Sequence, residues 1–137
     1  DYHRRCPHGC WGLIMAFTST KSVSLTYHQA VETDAIATVI ANIAGGAATL
    51  YSVQIDNDAN AGNIVYVRFW DATSATNGTT VPYLSLKADA DDKNLTYAIP
   101  QGLTFSTGIS FACVTDHGGT AGTSAPSGDV IVRLVYS

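Results

Sequence analysis

The residues with the most obvious chemical potential stand at the very start of the chain. His3, Cys6, His8 and Cys10 are borderline-soft metal ligands packed into eight residues. A structural zinc site pairs its ligands across a longer loop so that four of them can close a tetrahedron. Ligands this close rarely do so, and no zinc site is expected. A second group is Asp56, Asp58 and Asn60, alternating oxygen ligands as at the start of a calcium loop. The downstream bidentate Glu of such a loop is missing, so these three are weak metal candidates that turn chemistry explains as well. Asp89, Asp91 and Asp92 form another acidic cluster that could meet them in space. For nucleophilic catalysis a Ser or Cys must contact a His that a carboxylate orients. Outside the first residues the histidines are His28 and His117, and the Asp116-His117 pair opens a Gly-rich stretch. There is no G-x-S-x-G elbow. The expectation is no enzyme, no cofactor and no resident metal.

Any site must be positioned by strands. From Ala16 onward the chain reads as short alternating segments broken by turn clusters. The clearest stretch is 48 to 71, where Tyr51, Val53 and Ile55 alternate with Leu50, Ser52 and Gln54, and Val65, Val67 and Phe69 with Tyr66, Arg68 and Trp70. Period-two alternation rich in β-branched and aromatic residues is the strand signature. Asp56 to Gly62 between them suits a turn, so this stretch is expected to be a hairpin at the centre of the sheet. Further strands are expected around Val23–Tyr27, Pro82–Leu86, Leu95–Ile99 (closed by Pro100-Gln101-Gly102), Leu103–Cys113 and Val130–Tyr136. The segment from Ala35 to Ile43 is ambiguous between strand and helix; its β-branched density and the Gly45-Gly46 break favour strand. Seven or eight strands at this spacing predict an all-β antiparallel sandwich, jelly-roll or immunoglobulin-like, with an N-terminal arm.

Composition narrows the function classes. The chain has 137 residues, 46% apolar and 13% charged, with a formal net charge of −4. That length suits one domain, placed at residues 15 to 137. Residues 1 to 14 differ from the rest and read either as an N-terminal arm or as an extension foreign to the fold, with MAFTST from Met15 as an ordinary beginning. No basic stripe exists for nucleic acid. No apolar run reaches the ~20 residues that span a bilayer, so no membrane partner is expected. Three cysteines make no disulfide framework, and Cys113 reads as a small buried hydrophobe. The triplets Asn77-Gly78-Thr79 and Asn94-Leu95-Thr96 read as chance matches to the glycosylation pattern. Low charge suits a surface that packs against neighbours. Tyr66, Arg68 and Trp70 fall on one strand face and read as interface candidates; a sugar-stacking platform or a buried second side of the sheet would give the same pattern.

Four stretches carry a family resemblance: ATLYSVQIDNDANAG, VYVRFWDATSATNGTTVP, PQGLTFSTGISFACVTDHGGTAGTSAP and the VIVRLVYS terminus. Through these, residues 48 to 137 resemble small virion structural proteins of tailed bacteriophages, many of them marine or cyanobacterial phages. The resemblance implies a short β-sandwich located in the virion, serving as a decoration, cement or tail-associated subunit. Its partners would be the major capsid protein or tail subunits and further copies of itself in a homo-oligomer. Trp11, Leu13 and Ile14 would then anchor the arm on a neighbour. The alternative is a carbohydrate-binding sandwich at a tail tip or in a secreted protein. Trp70 divides the two readings, since burial or cover by a subunit favours contact and exposure in a groove favours glycan.

Overall fold

A computed structural model describes residues 26–60, 62–117 and 122–137. Within these, seven strands form: β1 (His28–Glu32), β2 (Ala48–Asp56), β3 (Val65–Asp71), β4 (Leu84–Ala88), β5 (Leu95–Phe105), β6 (Ile109–Val114) and β7 (Ile131–Tyr136). All pairings are antiparallel. They make two sheets, one ordered β1-β7-β2-β5 and the other β4-β3-β6. The all-β antiparallel sandwich expected from the alternation is the fold.

The core lies between the sheets. Val53, Ile55, Val132 and Leu134 from the first sheet meet Val65, Val67, Phe69, Phe111 and Cys113 from the second. Phe69 sits between Phe105 and Phe111, with ring centroids 6.4 and 5.8 Å away. At roughly 1.5–3 kcal/mol for each large apolar side chain buried, this layer supplies the main driving force for folding.

The expected central hairpin does not form. β2 pairs with β5 and β7, whereas β3 pairs with β4 and β6, so residues 57 to 64 carry the chain from one sheet to the other. Asn57 is the corner. Its side-chain amide donates to the carbonyls of Asn63 (2.9 Å) and Asp89 (3.0 Å), and its backbone N–H to Asp92 (2.7 Å). These bonds bind the crossover to the β4–β5 loop and stop it folding back along β2. Each strand is nevertheless central in its own three- or four-stranded sheet.

Two further expectations change. The segment 35 to 43 is neither helix nor continuous strand. It runs beside β6 with backbone bonds at Ile36, Ile40 and Ile43 and a single bridge, Ile40 to Phe111. Asn42, at φ 48°, takes the left-handed conformation there and breaks the alternation. β5 passes through Pro100 instead of ending at it. Between Leu50 and Ser52 the β2 pairing shifts register, which turns Leu50 inward beside Val53 and Ile55. Pro100 can be held because β5 is an edge strand. Among the described residues the first strand is His28–Glu32; the strand expected around Val23–Tyr27 lies for the most part, at residues 23 to 25, outside the described residues.

Candidate functional site

The outer face of the β4-β3-β6 sheet carries Tyr66, Arg68 and Trp70, but it is not an open surface. Arg68 and Trp70 are each only 1% exposed. Residues 72 to 83 fold back across the face, and the indole N–H of Trp70 donates to the Thr80 carbonyl (2.9 Å). Arg68 reaches between this loop and the segments around Asp116 and Gly122. Its Nη1 donates to Asn77 Oδ1 (3.1 Å) and to the Gly122 carbonyl (2.8 Å), and its Nη2 to the Asp116 carbonyl (2.8 Å). Asn77 passes the restraint on, its amide donating to the Ala37 carbonyl (3.0 Å) beside β6. A Cβ at Gly122 would stand 2.8 Å from Arg68 Nη2, so only glycine lets the loop come this close.

Of the interface candidates Tyr66, Arg68 and Trp70, the chain itself covers Arg68 and Trp70, as the alternative of a buried second side of the sheet has it. Alternation correctly puts the three on one face but says nothing about which loops return over it. Tyr66 remains half-buried at the open end, where its ring meets His117 edge-on at 4.8 Å. Trp11, Leu13 and Ile14 lie outside the described residues, as do His3, Cys6, His8 and Cys10.

Beside Arg68 the two loops leave a pocket of about 250 Å³. The run Val81 to Ser85 lines it together with Arg68 and His117. Register explains the grouping, since Arg68 pairs with Ser85 on the adjacent strand. Val81 is 75% exposed and Tyr83 51%, so the apolar wall continues onto the surface. The sequence reading missed this site, because it marks Pro82 to Leu86 as a strand without showing what that strand packs beside. The Val81-Pro82-Tyr83 run was the available signal.

The calcium candidates do not converge. Asp56 accepts from the Asp58 backbone N–H (3.2 Å), while the Asp58 carboxylate faces Lys93 (2.9 Å). Asn60 is buried and bridges to the chain before β7: its amide donates to the Gly128 carbonyl (3.0 Å) and its Oδ1 accepts the Gly128 N–H (2.7 Å). The second acidic loop does meet the first, through the Asp89 and Asp92 carbonyls bound to Asn57 and through Lys93 paired with Asp58. Among the described residues no group of three or more His, Cys, Asp or Glu side chains is placed to hold a metal ion.

Two other titratable groups are held structurally. Asp71 at the end of β3 gathers the turn before β6, accepting from Ser106 Oγ (2.7 Å), Thr107 N–H (2.7 Å) and Ser106 N–H (3.0 Å). The Ser106 hydroxyl first, then the backbone N–H groups, stabilise the carboxylate and lower its pKa to about 2. Cys113 is buried in the core, and burial pushes its thiol up to about 12, which makes it unreactive.

Compared with known proteins, the chain matches no protein-family model, no curated protein and no solved structure.

Proposed function

We propose that this chain is a non-enzymatic structural subunit of a tailed-bacteriophage particle. On this reading it is a decoration or cement protein that works through protein–protein contact with the major capsid protein or tail subunits, and with copies of itself. The observation that carries the reading is the strand order. In an immunoglobulin-type sandwich the last two strands share a sheet. Here β6 and β7 lie in opposite sheets, and β7 sits between β1 and β2. With the segment beside Ile40 counted as a reduced strand on the far side of β6, the arrangement favours the jelly-roll alternative, an architecture used in viral capsids and lectins.

Trp70 supports contact over glycan binding, because a buried indole hydrogen-bonded to Thr80 offers no stacking face. The carbohydrate reading retains one observation in its favour, the half-exposed Tyr83 beside the pocket. The first experiment is the solution mass by light scattering, with and without residues 1 to 14. The expected result is a closed oligomer, with the arm strengthening association. A monomer in both forms, together with glycan binding that Tyr83→Ala abolishes, would replace the structural reading by the carbohydrate one.

A further inference from the structure

The pocket beside Arg68 combines features that its surroundings lack. None of the described residues lining it is acidic, in a chain of net charge −4. Arg68, the one formally charged side chain among them, is buried and already fixed by bonds to Asn77, Gly122 and Asp116. A guanidinium fixed in this way spends little conformational entropy on a partner. Those bonds leave Nε–H and one Nη2–H among its five donors; a carboxylate matches them, and partial enclosure strengthens that attraction. The wall of Val81, Pro82, Tyr83 and Leu84 asks for an apolar group next to the charge.

We infer that this pocket receives a carboxylate carried beside an apolar side chain, presented by a partner polypeptide. Size and shape argue for a polypeptide. The cavity, about 250 Å³, falls below the roughly 300–1,000 Å³ of typical small-molecule sites, yet it holds one side chain. Val81 and Tyr83 extend the apolar surface beyond its mouth. A bound chain covers that extension, whereas a free small acid leaves it wet. Anchors seated in such pockets dominate contact energies. The partner class rests on the contact-protein reading above; the ligand chemistry rests on the pocket alone.

The test uses the full chain and two probes that differ by one charge, N-acetylphenylalanine and its amide. Amide-resonance shifts at Tyr83, Leu84, Ser85 and His117 report occupancy. The acid should bind in the millimolar range and about fivefold or more tighter than the amide, as a charge-assisted hydrogen bond requires. The difference should shrink with added salt. Ser85→Glu places a carboxylate opposite Arg68 on the neighbouring strand and should abolish binding of the acid. Val81→Asp, at an exposed position, serves the same purpose should the first variant misfold. Equal affinity of the two probes, shifts elsewhere on the molecule, or no shift up to about 20 mM, where even weak contacts register, would overturn the inference. Acid binding by a chain that joins no particle would remove the virion reading and leave the pocket chemistry standing.

Discussion

At the scale of single residues, several described side chains with chemical potential are spent on architecture. Asp71 is the sharpest case. Its folded pKa, about 2, lies below the ordinary value of 3.8, with the Ser106 hydroxyl as the largest cause. A depressed carboxylate contributes stability that is fully present above its unfolded pKa and is lost as pH falls through the folded one. The window is therefore about pH 4 down to 2. Acid unfolding followed by circular dichroism should show Asp71→Asn less stable than the parent at neutral pH, with the difference closing across that window. A constant difference down to pH 2 would refute this role. Arg68 teaches a related lesson. Its position on the face of β3 was readable from alternation, but its partners at 77, 116 and 122 are remote in sequence, and no local pattern encodes them.

At the scale of elements, the strands were legible and their partners were not. Alternation marks a strand wherever one face is buried, and β2, β3, β5, β6 and β7 all appear near their expected places. Pairing is decided elsewhere. The link from β2 to β3 looks like a hairpin turn, yet the carbonyls that Asn57 seeks belong to residues 63 and 89. β5 shows a second limit, since Pro100-Gln101-Gly102 reads as a stop but is absorbed as a register shift. Gly102 makes that possible: φ is +76°, and an added Cβ would collide with Thr49 and stand 2.9 Å from Tyr51 Cε1. Gly102→Val should cost on the order of 2 kcal/mol or more in denaturant unfolding, from left-handed strain plus the clash. A change within error would mean that the bend relaxes freely. The open side between the sheets is fastened by two tyrosines. Tyr97 of β5 donates to the Lys87 carbonyl of β4, and Tyr83 donates to the Thr104 carbonyl (3.3 Å) while its ring packs on Phe105. Both edges are thereby occupied at points where a foreign strand would otherwise pair.

At the scale of the whole molecule, the two sheets are unequal. Every residue of β6 and most of β3 is buried, because the second sheet has the core on one side and its own loops on the other. The first sheet leaves Gln29, Val31 and Thr96 at the surface. Native-state hydrogen exchange should find the slowest amides in β3 and β6 and the fastest strand amides in β1, since local opening follows burial. Protection greatest in β1 would contradict this.

The pairing of β1 with β7 also determines how the domain responds to load. His28 lies opposite Tyr136 and Glu32 opposite Val132, so β1 and β7 run antiparallel with their outer ends side by side. Tension applied at residues 27 and 137 would meet those backbone bonds one rung at a time, as a zipper does, instead of shearing them together. The tether points are thus mechanically weak, and a subunit that must endure strain on a particle would have to carry it through its faces. Pulling single molecules from those two positions should peel β1 away first, at forces well below those needed to open β3 from β6.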